Sequence, residues 1–443
     1  MLMFAVVMAS RIRFHHDPET YAQFIGEFGL LKAFVVAAFV TLAKACFGLY
    51  QVHVRYKRGA LMLRQVLAFA FGGIALLVLY YLVPAAYVGR GVLAIALALG
   101  LLMVVMTRFL LEYAFGLESF RRRVLVLGAG SNAEMINTRL RRRADRNSFT
   151  IMGFVPVAQH AVSVRDELLL DAKTSLSELA NALQIQEIVV ATDERRGALP
   201  MQDLLLCAQR GIVITDLSTF FERELGVVLL NASDPSWLVF TGHFDHSAMR
   251  RLSKRLFDLL AASTLLLLAW PVMLMVAALV RLESAGPIFY RQTRVGQDGY
   301  SFDLYKFRSM RLDAESDGVA RWAGNNDDRT TRVGRFIRST RLDELPQLVN
   351  VMMGQMSFVG PRPERPQFVD MLNQQIRYYD VRHCMKPGLT GWAQLRYPYG
   401  ASVDDAAEKL KFDLFYVKNH GLLFDFMILL QTVEVVLFRQ GAR

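Results

Sequence analysis

The 443-residue sequence is poor in cysteine, and its three, Cys46, Cys207 and Cys384, are far apart and lack metal-type spacing. Neither a disulfide framework nor a zinc site is indicated, so reduced, cytosol-facing domains are expected. No segment interleaves basic and aromatic residues in a nucleic-acid-binding pattern, which argues against nucleic acid as a partner. Charged residues are also slightly scarce, at 21%. Hydrophobic residues make up 53%, and together these values suggest a membrane protein with a polar portion. The formal net charge of +11 then points to an anionic membrane surface or phosphorylated substrates.

Three long apolar runs occupy residues 29–50, 61–88 and 92–115, each long enough to cross a bilayer as a helix. Residues 1–9 are apolar as well but cover only half a span, and read as the tail of a truncated first span. No basic segment precedes them, which argues against a cleaved signal peptide. Arg55, Lys57 and Arg58 in one loop and Arg121, Arg122 and Arg123 in another outnumber the single Arg90 between the second and third runs. Basic loops face the cytosol, so everything after Arg121 is expected there.

Residues 121–244 change to soluble character. Val124-Leu125-Val126-Leu127 followed by Gly128-Ala129-Gly130-Ser131-Asn132-Ala133 reads as strand, glycine turn and helix. Further strands are expected at residues 149–157, 187–191 and 211–215, the alternation of a parallel α/β sheet and a Rossmann-like domain. The acidic residue that would hold a ribose at the end of the second strand is missing, because Val155-Pro156-Val157 stands there. A regulatory or dimerising domain that keeps a tight strand-to-helix turn is therefore favoured over live dinucleotide binding.

The last block opens at Arg250 and contains an apolar run at residues 256–280, interrupted by Pro271. Length alone reads it as a fourth span. Lys254 and Arg255 before the run and Arg281, Arg291 and Arg294 after it all prefer the cytosolic side. Proline removes a helical hydrogen bond, so a re-entrant hairpin bent at Pro271 is expected instead.

From Gly286 the chain carries a series of polar motifs: Gly286-Pro287-Ile288-Phe289-Tyr290-Arg291-Gln292, Lys306-Phe307-Arg308-Ser309-Met310 and Arg338-Ser339-Thr340-Arg341-Leu342-Asp343-Glu344-Leu345-Pro346-Gln347. Met356-Ser357-Phe358-Val359-Gly360-Pro361-Arg362-Pro363 and Lys386-Pro387-Gly388-Leu389-Thr390-Gly391-Trp392-Ala393-Gln394 follow. Singly, an Asp-Glu pair is usually a solvated helix start and a Gly-Pro-Arg-Pro run is usually a turn. Pro346 belongs in a first helical turn, which places a helix start near Asp343 and the acidic pair at its positive end. Unpaired amides there would keep a carboxylate ionised and help hold a diphosphate. Arg338 and Arg362 could then add bidentate phosphate contacts.

In this order, over residues 250–443, the motifs resemble the bacterial sugar transferase family, the monotopic polyprenyl-phosphate phosphoglycosyl transferases. Large members, with four N-terminal spans and a Rossmann-like middle domain, resemble the whole chain. Tyr397-Pro398-Tyr399-Gly400 resembles exopolysaccharide-associated members. The resemblance implies three parts: transmembrane helices at 1–117, a Rossmann-like domain at 118–245 and a mainly α monotopic catalytic domain with a re-entrant membrane helix at 246–443. It also implies a bacterial inner-membrane location with the catalytic domain facing the cytosol.

The activity so implied moves a sugar 1-phosphate from a UDP-sugar to undecaprenyl phosphate and releases UMP, initiating exopolysaccharide or related glycan assembly. Asp343 is the implied nucleophile and Glu344 the supporting carboxylate, both also ligands for Mg²⁺. Arg338, Arg362, Arg396, Lys306 and Arg308 are the expected phosphate and substrate contacts. Lys254, Arg255 and Asp258 match the family's run at the start of the membrane hairpin, where they would set its depth at the headgroups. Trp270 stands where many members have serine before the hairpin proline. Leu395-Arg396-Tyr397-Pro398 replaces an Asn-Gly-Arg type loop, so Arg396 supplies the arginine at a shifted position. The tail, residues 410–438, reads as surface-lying helices or equally as a buried helix pair. A homodimer stays open.

Two other classes share parts of this architecture. A membrane-anchored nucleotide-sugar dehydratase or epimerase normally needs Tyr-x-x-x-Lys, and none of the fifteen tyrosines is followed by lysine at that spacing. A non-catalytic assembly scaffold is the other.

Overall fold

A computed structural model describes residues 1–26, 29–49, 58–115, 121–140, 146, 148–157, 161–170, 174–193, 199–230, 247–311, 329–397, 400 and 402–437. The chain divides into two units, Met1–Leu225 and Gly226–Arg443. The described part is mainly helical, with small sheets in both units.

The apolar runs of the first unit fold as helices, because in lipid only a helix satisfies its own backbone. They are preceded by α1 (Leu2–Arg13) and α2 (Pro18–Gly26), and form α3 (Gly29–Cys46), α4 (Arg58–Leu82) and α5 (Arg90–Phe115). Windows at Gly29–Cys46, Leu61–Leu82 and Arg90–Leu111 have mean hydropathies of 1.8, 2.0 and 2.4, long and apolar enough to cross a membrane. Val6 and Ala9 of α1, Ala33 and Val36 of α3, Leu76 and Tyr80 of α4, and Val92 and Ala96 of α5 share one core. A Cβ at Gly72 would lie 3.3 Å from the Val40 Cα, so glycine lets α3 and α4 approach closely. Leu30, Phe34, Ile74, Leu77 and Phe109 remain exposed, apolar surface of the kind lipid covers. Arg55, Lys57 and Phe120, in the loops from which orientation was read, lie outside the described residues.

The soluble part of this unit alternates strands and helices: β1 (Arg122–Leu127), α6 (Ser131–Arg139), β2 (Phe149–Val155), α7 (Leu176–Ala182), β3 (Glu187–Val190), α8 (Met201–Gln209), β4 (Val213–Asp216) and α9 (Leu217–Leu225). The four strands are parallel, in the order β2-β1-β3-β4. Gly128 closes β1 with a φ of +120°, and a Cβ there would strike the Ala191 carbonyl group. The start of α6 is already filled. The Asp193 carboxylate accepts the amides of Ser131 and Asn132 at 2.9 and 2.8 Å, in the place where a ligand phosphate would sit.

The second unit begins earlier than the sequence-based boundary at residues 245–246, which itself lies outside the described residues. The Gly226 carbonyl accepts from Trp392 Nε1 at 2.8 Å, and the Val228 amide donates to the Lys411 carbonyl at 3.0 Å. Its first helix, α10 (Ala248–Glu283), runs for 36 residues with Pro271 inside it, so the apolar run is one helix in this structure rather than two joined by a non-helical turn. Length and composition would let it cross a membrane. Then follow the antiparallel hairpin β5 (Phe289–Val295) and β6 (Ser301–Phe307), α11 (Arg332–Ser339), a 3₁₀ turn (Leu342–Glu344), α12 (Gln347–Met353), β7 (Ser357–Val359) and α13 (Pro366–Gln375). The chain ends with β8 (Gly388–Thr390), parallel to β7, α14 (Trp392–Arg396), α15 (Val403–Asn419) and α16 (Leu422–Leu437). Leu410, Asp413, Leu414, Tyr416, Asp425 and Ile428 are buried, so the tail helices pack into the core, while Leu422, Leu423 and Val433 of α16 stay exposed. Pro398, Tyr399 and Phe438 lie outside the described residues.

Candidate active site

Pro346 has no amide hydrogen and serves as N-cap of α12, so that helix starts at Gln347 and not at the acidic pair. Asp343 and Glu344 occupy the 3₁₀ turn just before it. The chain enters this turn through Arg341 in the left-handed region, φ 59°, a conformation an L side chain adopts only where its surroundings enforce it. The pair is also buried, 8% exposed at Asp343 and 9% at Glu344, and does not form the solvated helix start read from sequence. Asn350 holds α12 onto β6, its side chain donating to the Asp303 carbonyl at 2.7 Å and accepting from the Tyr305 amide at 3.1 Å. That brace sets the dyad beside Lys306, the residue of β6 that follows Tyr305.

The two carboxylates have different surroundings. Glu344 Oε1 receives Arg362 Nη2 at 2.9 Å and Lys306 Nζ at 3.3 Å, and Arg341 Nη1 lies 3.9 Å from Oε2. Burial pushes the Glu344 carboxyl up, but Arg362, Lys306 and Arg341 together hold it far below the usual carboxylate range. Asp343 has no hydrogen bond or ion pair to its carboxylate among the described residues. Burial raises its pKa, and the neighbouring Glu344 charge raises it further against the pull of Lys306, Arg338 and Arg362. The helix end was expected to keep a carboxylate of the pair ionised. Instead the cations keep Glu344 charged, and Asp343 is the weaker acid.

Of the five expected phosphate contacts, Lys306 and Arg362 meet the dyad directly, and Arg338 acts on Asp343 through its charge. Arg308 is elsewhere. It is buried, and its guanidinium donates to the carbonyls of Val280, Ser284 and Ala285 and to the Ser284 hydroxyl, closing the end of α10. Those carbonyls lack helical partners, which is why a buried arginine is needed there. Arg396 packs its guanidinium over the Trp392 ring, 4.3 Å from the centroid.

The run at the start of α10 also turns inward rather than towards headgroups. Lys254 Nζ meets Asp425 Oδ2 at 2.6 Å, the Tyr416 hydroxyl at 3.1 Å and the Val359 carbonyl at 3.1 Å. Arg255 donates to the carbonyls of Val351 and Met352 at 2.7 Å each. Asp258 accepts from the Ser357 hydroxyl and the Phe358 amide, both at 2.9 Å. Buried polar groups need such partners, and α12, β7 and α16 provide them. Trp270, beside Pro271, is 54% exposed.

Sequence reasoning missed a second arginine layer. Arg294 is mostly buried, bonded to the Pro363 carbonyl at 3.2 Å and Gln292 Oε1 at 2.6 Å, and burial brings its pKa down to about 10. Arg382 and Asp413 form a buried pair under Arg362. Nothing in a 31-residue separation announces that pair. Arg341 did stand in a quoted motif, next to the dyad.

The profile of the family described as "Bacterial sugar transferase" matches residues 249–439, which include the dyad and each contact described above. The Exopolysaccharide production protein PSS of Rhizobium leguminosarum bv. phaseoli is 41% identical over 192 residues, 42% of this chain and 96% of that protein. The chain belongs to the bacterial sugar transferase family. Two other family relatives are longer. The UDP-N-acetylgalactosamine-undecaprenyl-phosphate N-acetylgalactosaminephosphotransferase of Aeromonas hydrophila is 45% identical over 240 residues, 54% of this chain and 56% of that one. The Undecaprenyl-phosphate glucose phosphotransferase of Komagataeibacter xylinus is 32% identical over 337 residues, 72% of this chain and 60% of that one. The match thus spans little more than half of these two relatives. Their names are those of glycosylphosphotransferases and imply a lipid phosphate acceptor.

Proposed function

We propose that this chain transfers a sugar 1-phosphate from a UDP-sugar to undecaprenyl phosphate at the cytosolic face of the bacterial inner membrane, with Asp343 as the acceptor in a covalent intermediate. The observation that carries this reading is the division within the dyad. Glu344 is occupied by Lys306 and Arg362, whereas the Asp343 carboxylate has no hydrogen-bond or ion-pair partner among the described residues. A buried carboxylate that no hydrogen bond occupies keeps its oxygen lone pairs available to attack phosphorus.

In the first step an Asp343 oxygen attacks the sugar-bearing phosphorus, and the bond from that phosphorus to the bridging oxygen breaks with its electrons leaving on UMP. In the second, an oxygen of undecaprenyl phosphate attacks the same phosphorus and Asp343 leaves as carboxylate. Lys306, Arg338 and Arg362 offset the repulsion between the acid and the anionic substrate. Mg²⁺ suits this donor set, because it takes one or two carboxylates and completes its shell with phosphate oxygens and water, and the Asp343 carboxylate and Oε2 of Glu344, which Arg341 approaches to 3.9 Å, are the carboxylate oxygens that would hold it. When bound it would neutralise charge on the diphosphate.

The same reading makes α10 re-entrant. Lys254, Arg255 and Asp258 at one end and Val276, Val280 and Ser284 at the other all contact the second unit, while Leu267, Leu268, Trp270, Leu274 and Met275 around Pro271 are exposed. A helix through a hydrocarbon layer of about 30 Å has its ends on opposite faces, where one folded unit could not hold both. A bend at Pro271 resolves this and keeps the unit on one face. The parallel sheet of the first unit is read as Rossmann-like, with Asp193 in place of a cofactor phosphate.

A panel of UDP-sugars assayed for UMP release with undecaprenyl phosphate and Mg²⁺ tests reaction and donor together. Release from none of them would favour a scaffold.

A further inference from the structure

Arg362 is set in a stretch of backbone that is held at every carbonyl. Those of Pro361, Arg362, Pro363 and Glu364 accept in turn from the Gly388 amide at 2.9 Å, Arg382 Nη2 at 2.9 Å, Arg294 Nη1 at 3.2 Å and the Val295 amide at 2.9 Å. Prolines on both sides of Arg362 restrict φ and remove two donors, so this segment cannot join a ladder and depends on donors brought to it. Two of these donors are backbone amides, of Val295 in β5 and Gly388 in β8. The others are side chains, Arg294 of β5 and, from outside the strands, Arg382.

That side chain, Arg382, is 5% exposed. Its Nε and Nη2 meet Asp413 Oδ2 at 3.1 and 2.8 Å, and Nη1 donates to the Tyr379 hydroxyl at 2.8 Å. Asp413 comes from α15, distant in sequence from the dyad, and is itself buried. A buried Arg–Asp pair adds little net stability over apolar packing, so stability alone is a weak reason for it. Its geometry suggests another. Asp413 orients Arg382, Arg382 holds the Arg362 carbonyl, and Arg362 places its guanidinium on Glu344.

We propose that Arg382 and Asp413 are a positioning pair for the dyad, fixing Arg362 where it occupies Glu344 and not Asp343. This rests on the reaction proposed above. Lysine at 382 keeps the charge but lacks the fork that reaches the carboxylate, the hydroxyl and the carbonyl together. Arg362 would then lose the anchor on its own carbonyl, and misplacement by about 1 Å costs catalysis on the order of 100-fold.

The test is a double-mutant cycle on the full chain in nanodiscs, with Arg382→Lys and Arg362→Ala alone and combined, read as kcat and KM for UMP release and as Tm. Arg382→Lys is expected to lower kcat by about 10- to 100-fold, with KM within about threefold and Tm close to wild type. In the Arg362→Ala background the same change is expected to cost less than about twofold, because a residue that acts through Arg362 has nothing left to position. An equal loss in both backgrounds, or an unchanged kcat in Arg382→Lys, overturns the pair. Should Arg382→Lys not fold, Tyr379→Phe removes one partner of the guanidinium and carries the same cycle with the same expectations. Wild-type protein that releases no UMP from any UDP-sugar overturns the reaction itself, whereas wild-type release with additive losses overturns only the positioning pair.

Discussion

Arg362 and Glu344 meet at 2.9 Å, and this contact separates two adjacent acids into an occupied carboxylate and an available one. The consequence for mutants is asymmetric. Asp343→Asn is expected to abolish transfer, by at least about 1,000-fold, with Tm unchanged or raised, because it removes a buried charge that has no ion-pair partner among the described residues. Glu344→Gln is expected to lower stability by about 2 kcal/mol, less than for a fully buried pair because the Arg362 side chain is 39% exposed. Thermal unfolding of both variants checks the contrast, and an Asp343→Asn protein with full activity would sink the mechanism.

The pH profile should report Asp343. Its pKa is raised from its ordinary value, first by burial, so the active ionised form is lost as pH falls through that raised pKa. Lys306 lowers that pKa, so Lys306→Met is expected to move the acid limb of kcat/KM to higher pH. A limb that stays put or moves down contradicts the placement of Lys306.

Membrane topology is checked by labelling single cysteines at Met249 and Leu282, which are exposed near the two ends of α10, after Cys46, Cys207 and Cys384 are replaced. Labelling of both from the cytosolic side is expected. Opposite sides would show a true span and remove the hairpin.

In the first unit, Asp193 occupies the amides that open α6. Neither NAD⁺ nor NADP⁺ is expected to shift Tm, and Asp193→Ala should destabilise by about 1 kcal/mol, as loss of a helix cap does. A nucleotide-dependent rise in wild-type Tm contradicts this.

Much of this arrangement was legible in sequence, and the part that was not has a physical cause. Apolar runs and the alternation around Val124-Leu125-Val126-Leu127 announce helices and a parallel sheet because both follow from local period. The dyad and Arg362 were legible through motif order. Local rules placed the helix start at Asp343, but the left-handed Arg341 and the N-capping Pro346 put a separate turn there. Arg308 in its motif looks like any phosphate contact; only the fold reveals that it caps α10. Lys254 with Asp425, Arg382 with Asp413 and the Asp193 plug join residues 31 to 171 positions apart, and no periodicity encodes such pairs.

The account is tested most directly by incubating the protein with UDP-sugar and Mg²⁺ without undecaprenyl phosphate, and mapping its peptides by mass spectrometry. A sugar-phosphate adduct on the peptide containing Asp343, absent from Asp343→Asn and discharged when undecaprenyl phosphate is added, is the predicted result. UMP release that requires undecaprenyl phosphate from the outset, with no adduct on any peptide, would contradict it.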